Sequence, residues 1–166
     1  MRIEWIEKYL TEAEQMMYAD KVEDGLGLLN TLLYDEPGYG SLHNHLGWAY
    51  MYYTADVKRA ELHLTMAIKF YEDYAAPYLH LGNLYIRTRQ YALALNALEK
   101  GLEKPAANRL ALLDAIARVH ELRGDYKKAV STYKVALTAS TGAESNAYME
   151  GIKRCRKKRF TLFFSF

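Results

Sequence analysis

"HLGNLYIRTRQYALALNALEKGL" (residues 80–102) reads as two short helices separated by the polar turn "RTRQ", yet Gly82 lies inside the first helix and Gly101 near the end of the second. Glycine in a helix interior costs about 1 kcal/mol against alanine. That cost is offset where two antiparallel helices cross so closely that a small residue must face a large one. Gly82 is therefore expected to receive a ring or branched side chain from a neighbouring helix.

The same pattern repeats along the chain. Small residues recur at Ala13, Gly47, Gly82 and Ala117, at intervals of 34, 35 and 35. A second series follows 12 or 13 positions later in each unit, at Gly25, Ala60, Ala94 and Ala129, and a less regular third at Leu32, Ala67, Gly101 and Ala136. Large residues keep the same phase: Met16, Tyr50, Tyr85 and His120 after the first series, Leu29, Leu64, Leu98 and Tyr133 after the second. Apolar positions spaced by three and four are helical, and strand-like alternation is absent. Turn signals separate the helices at "YADK", "YTADVK", "RTRQ" and "RGDY", while Pro37, Pro77 and Pro105 fall in the segments that link one unit to the next.

The period and the motifs "HLGWAY" (45–50) and "HLGNLY" (80–85), with "RGDYKKAVSTYKVAL" (123–137) as a second helix, resemble the tetratricopeptide repeat family. The resemblance implies an all-α, right-handed α-α superhelix of about four two-helix repeats in a single domain over residues 1–159. The repeats fall near 6–39, 40–74, 75–109 and 110–143, with a capping helix at 144–159 and an apolar tail at 160–166. The first unit departs from the pattern at Glu12, which stands where an apolar residue is usual, and the second carries one inserted residue in "TADVK". The cap keeps the phase through Gly151 and offers Ala147, Tyr148, Ile152 and Cys155 to the last repeat.

In this family the first helices line a concave groove. The resemblance carries that role to Glu7, Leu10, Glu14 and Met17 in the first unit and to Asn44, Trp48, Met51 and Tyr52 in the second. Leu79, Asn83, Ile86 and Arg87 follow in the third unit, and Asp114, Arg118 and Glu121 in the fourth. Asn44, Trp48, Tyr52, Asn83, Arg87 and Arg118 are the expected contacts for a peptide or protein partner. Aromatic and arginine side chains dominate interface energetics, and asparagine can hydrogen-bond an extended backbone. The opposing reading is that Trp48 and Tyr52 simply pack between helices. Lysines matching a carboxylate clamp for chaperone C-termini are absent at the groove positions, which argues against that partner.

No phosphate loop, nucleophile elbow or paired cysteine motif is present, so neither an enzyme nor a cofactor is expected. The five histidines lack metal-ligand spacing; His43 and His45 point to different sides of a helix, and His45 and His80 match one repeat apart. No metal site is expected from them. The N-terminus lacks the apolar core of a signal peptide, no apolar run approaches a membrane span, and Cys155 is the single cysteine, so a cytoplasmic protein is expected.

Charge is unevenly distributed. "KRCRKKR" (153–159) holds six of the 22 basic residues, and without it the chain carries 16 basic against 20 acidic residues, a net of −4. Nucleic acid is the less favoured partner for this run, since no aromatic residues interleave it. The adjoining "FTLFFSF" (160–166) is apolar and β-prone. Two alternatives stand beside a peptide-binding adaptor: a secretion-type chaperone shielding an apolar client, which the resemblance implies for small proteins of this family, and an element that self-associates or lies on a membrane surface through this basic, phenylalanine-rich C-terminus.

Overall fold

The computed structural model describes residues 2–163, and the side chains of residues 3–161. The described residues form helices α1 (Arg2–Tyr18), α2 (Val22–Asp35), α3 (Gly40–Ala49), α4 (Val57–Phe70), α5 (Ala76–Arg87), α6 (Tyr91–Leu102), α7 (Arg109–Leu122), α8 (Tyr126–Ala139) and α9 (Glu144–Phe163). A π-helical turn, Tyr50–Thr54, extends α3. Helices pair in sequence as α1 with α2, α3 with α4, α5 with α6 and α7 with α8, and α9 packs on α8. The first helices also touch one another in order, α1 to α3, α3 to α5 and α5 to α7, so together they form one continuous wall.

The small residues mark the crossings. A Cβ on Gly82 would stand 2.3 Å from Leu98 Cδ2, and one on Gly47 would stand 2.5 Å from Leu64 Cγ. Both distances are far inside van der Waals contact, so a side chain there would have to push a buried leucine aside. The large partner is the leucine of the second helix in the same unit, and Leu64 and Leu98 are fully buried by this insertion. Ala13, Ala60, Ala94, Ala117, Ala129 and Ala136 are likewise fully buried.

Each hairpin turn is closed by the same device. The backbone N–H of Lys21, Gln90 and Asp125 donates to the carbonyl of Met16, Tyr85 and His120, five residues back. The residue before each donor is left-handed: Asp20 (φ 62°), Arg89 (φ 59°) and Gly124 (φ 81°). This is a Schellman closure, in which glycine is the favoured residue and only Gly124 supplies it. In the second unit the bond runs from Asp56 N–H to the Tyr50 carbonyl, six residues back, with Ala55 left-handed (φ 55°). The inserted residue is absorbed as the π-helical turn, one wider loop of backbone in an otherwise unchanged hairpin.

The C-terminal helix caps the stack. Tyr148, Gly151, Ile152 and Cys155 are buried against α8, and a Cβ on Gly151 would meet the Tyr133 ring at 2.9 Å. Ala147, expected on that face, is exposed; one position before Tyr148, it falls on the rim of the cleft between α7, α8 and α9. The helix does not stop at residue 159 but runs through Phe163, and Phe160 is 66% exposed. Residues 164–166, the end of the apolar tail, lie outside the described residues, as does the choice between docking in cis, in trans or on a membrane.

Two stability outcomes follow from this packing. Gly82→Ala should cost about 1–3 kcal/mol in urea denaturation, and that cost should largely vanish in a Leu98→Ala background, because the same atoms are in conflict. Arg89→Gly should stabilise the chain by about 0.5–1 kcal/mol, by relieving a left-handed conformation at an exposed side chain; an unchanged or lowered urea midpoint would contradict this.

Candidate partner-binding face

The wall formed by the first helices carries an aromatic ridge. Trp48 of α3 is its hub. The Tyr18 ring at the end of α1 stands 5.8 Å from it at 71°, Tyr53 of the π turn 5.1 Å at 68°, and Tyr52 6.4 Å at 55°. Tyr52 continues the ridge to His80 of α5 at 6.4 Å. Three successive first helices are therefore joined by ring contacts. Tyr18 and Tyr52 remain 69% and 52% exposed, which leaves much of this aromatic surface in water. Trp48 is half-buried, so it both packs between helices and faces outward.

The other expected contacts divide. Arg87 is exposed and its Nη1 donates to the Met51 carbonyl of the π turn at 2.6 Å, tying the third unit to the second. Asn83 is half-buried on the same helix, and Arg118 is exposed on α7. Asn44 is 6% exposed; its Nδ2 donates to the Tyr74 hydroxyl at 3.3 Å, and its Oδ1 is sealed inside without a hydrogen bond. It braces α3 against the segment before α5 and is out of a partner's reach. Leu10, Met17, Met51 and Ile86, also assigned to the groove by the repeat pattern, are core residues. Their helices turn these apolar positions inward, where burial favours them.

Acidic groups accompany the ridge. Glu14 accepts from the Tyr18 hydroxyl at 3.1 Å, and Glu7, two turns earlier on α1, accepts from the Tyr39 hydroxyl. At the opposite end of the wall Glu121 is claimed by the cap. Arg154 Nε and Nη2 donate to its two carboxylate oxygens at 2.8 and 2.7 Å, and Lys158 Nζ donates at 2.9 Å. The hydrogen bonds from Arg154 foremost, and from Lys158, hold the Glu121 carboxyl down at about 2. Arg118 lies within electrostatic reach of Asp114, whose carboxyl burial pushes upward.

A family model for the tetratricopeptide repeat matches residues 112–147. The fold is that of a tetratricopeptide-repeat solenoid. Solved structures agree in shape at low sequence identity. The structure reported for Pseudomonas aeruginosa pilF superposes with a TM-score of 0.85 at 13% identity, covering 96% of this chain and 71% of that one. A putative kinesin light chain from Podosopora anserina with nearly identical TPR-like repeats gives 0.77 at 17%, covering 94% and 87%. The Cut9–Hcn1 hetero-tetramer of the APC/C gives 0.77 at 22%. The match covers 89% of this chain, which spans 29% of that longer one. No curated protein sequence matches the chain.

Within the repeat solenoid the histidines are structural. His43 Nε2 lies 2.9 Å from the Pro37 carbonyl, which can only accept, so this nitrogen carries the proton. His43 Nδ1 is then the acceptor for His63 Nδ1–H at 2.9 Å. His63 stacks on Tyr50, and burial, with neighbouring His43 and Arg59, lowers its pKa to about 4. Burial and His45 lower His80 likewise to about 4. The His43–His63 contact had no sequence signal, because the two residues lie on different helices of one hairpin at no motif spacing. Among the described residues no group of three or more His, Cys, Asp or Glu side chains is placed to hold a metal ion. Cys155 is wholly buried, and desolvation pushes its thiol up to about 11, so the basic residues around it do not activate it.

His63 and His80, with His120, whose pKa burial also lowers, set a pH dependence. The unfolded chain takes up protons below about 6.5 that the folded chain refuses, at His63 and His80 until about 4. Their contribution to stability is complete above pH 6.5 and is lost as the pH falls towards 4, at up to about 1.4 kcal/mol per pH unit for each histidine. Urea denaturation between pH 7 and 4.5 should show this slope, and His63→Gln should reduce it without abolishing it, whatever it does to absolute stability, because His80 and His120 remain. Loss of the Glu121 contribution belongs to a lower window, from about 4.5 down to about 2.

Proposed function

We propose that the protein is a non-enzymatic adaptor that holds a peptide or protein segment against the wall formed by α1, α3, α5 and α7. The observation that carries this reading is the exposed ridge Tyr18–Trp48–Tyr52, continued by His80, which crosses three repeats on one face. Large aromatic side chains left half in water at fixed spacing on rigid helices are the residue type and setting that dominate interface energies. The scaffold is preorganised: small-to-large crossings fix each hairpin, so a partner would lose ordering entropy but the receptor would lose little. Arg87, bonded to the Met51 carbonyl of the π turn, brings a polar group to the ridge, and Asn83 and Arg118 lie farther along the wall on α5 and α7.

The reading is tested by selecting peptides from a displayed library on the wild-type protein and on the Trp48→Ala/Tyr52→Ala variant. Both proteins should have the same far-ultraviolet circular dichroism, since both residues border solvent. The wild type should enrich a family of sequences whose affinity falls at least about tenfold on the variant. Equal enrichment on both proteins would place binding elsewhere and defeat the proposal.

A further inference from the structure

We infer that the aromatic box around Trp48 is a cation site, taking a lysine or arginine side chain from an extended, basic segment of a separate partner protein. This deepens the adaptor reading and rests on it. The first argument is shape. Tyr18, Tyr52 and Tyr53 surround Trp48 with their rings inclined to it at 71°, 55° and 68°. Steeply inclined rings about one indole make a partial cage, and a cation over an aromatic face is attracted by the ring quadrupole, most strongly over tryptophan.

The second argument is charge. Residues 6–39 hold eight carboxylates, including Glu7 and Glu14, against Lys8 and Lys21, a net of −6, although the whole chain is +2. Glu14 sits at the edge of the box, bonded to the Tyr18 hydroxyl. The box is also formed where two helices end: Tyr18 is the last residue of α1 and Tyr52 lies in the π turn, and neither element has a basic residue in its last turn. Helix C-termini carry partial negative charge and favour a cation. Of the cations near the π turn, Arg87 donates to the Met51 carbonyl and Arg59 lies over the Tyr50 ring. His80, beside Tyr52, adds no charge at neutral pH, because burial keeps it unprotonated.

The chain's own basic helix is the competing source of such side chains. Arg154 and Lys158 of α9 are held by Glu121 of the same chain. The cations of α9 also ride on a helix whose backbone N–H groups are bonded internally, whereas an extended segment brings free N–H groups to Asn83 and the Glu7–Glu14 face. A separate, extended partner therefore fits better than a second copy.

The test uses the full chain with Trp5→Phe, which leaves Trp48 as its single tryptophan. Three synthetic 12-residue glycine-serine peptides would be titrated, bearing two arginines, two glutamates or two leucines, with Trp48 fluorescence and calorimetry as readouts. The arginine peptide should bind, perturb Trp48 emission and weaken as salt rises. Its affinity should fall about tenfold with Trp48→Ala and severalfold with Glu14→Gln, with the fold checked by circular dichroism. Binding of the glutamate or leucine peptide in preference to the arginine one, with the same dependence on Trp48, would overturn the cation site and leave the adaptor reading intact. Binding of none up to millimolar concentration would overturn the cation site, while the library selection decides the adaptor reading separately. Light scattering of the protein alone supplies the remaining control: self-association that is abolished by Lys157→Glu/Arg159→Glu and competes with the arginine peptide would overturn the separate partner in favour of a second copy.

Discussion

The distance between the two helices of each hairpin is the constraint on which the rest depends. At Gly82 and Gly47 a side-chain atom would have to displace Leu98 or Leu64, which already fill the space. Close crossing within each hairpin lets successive first helices touch in order, so those of all four units line up as one wall. A wall built this way has little freedom to adjust. Its inward positions are spent on the core, and only the positions beside them are left to face a partner. That is why Leu10, Met17, Met51 and Ile86, though they lie on groove helices, contribute stability and not contact surface.

The π turn connects this packing to the candidate site. The extra residue of the second unit had to go between Gly47 and Ala60, whose positions are both fixed by crossings. A widened helical turn takes it up without shifting either end. The consequence is that Tyr52 and Tyr53 are carried around Trp48 at a point where the other units simply turn. Arg87 then bonds the Met51 carbonyl from the next repeat, so a local irregularity becomes a joint between two units. The most distinctive surface of the molecule thus arises at the one place where the repeat is broken.

The fold was legible in the sequence because it depends on periodicity. Gly82, Gly47 and Gly151 could be read as crossings without knowing their partners, and each meets a large residue of the in-phase leucine and tyrosine series. Site residues were legible only by register, and register says which helix face a residue is near without saying how far the side chain is turned inward. Asn44 and Trp48 lie four apart on one helix, yet the first is sealed against Tyr74 and the second is open. Tyr18 was passed over because "YADK" reads as a turn, although the helix runs through Tyr18 and presents its ring to Trp48. The left-handed residues Asp20, Ala55 and Arg89 were likewise hidden, since their conformation goes with closing the end of the preceding helix and is not signalled by glycine. The extension of α9 past residue 159 follows from the same limit, because nothing in "KKRFTLF" breaks a helix.

The electrostatic design of the molecule divides it into a pinned end and an open end. At the C-terminal end cations meet a carboxylate of the same chain: Glu121 takes Arg154 in a two-pronged bond and Lys158 as well, fixing α9 onto α7. Such pairing contributes to holding the cap and neutralises part of the local field. At the N-terminal end Glu7 and Glu14 are bonded to neutral tyrosine hydroxyls, which orient the carboxylates without neutralising their charge. A hydroxyl donor keeps a carboxylate in place at lower electrostatic cost than a lysine would, and its field still reaches out beside the aromatic rings. The two ends therefore use the same residue type for opposite purposes, closure at one and attraction at the other.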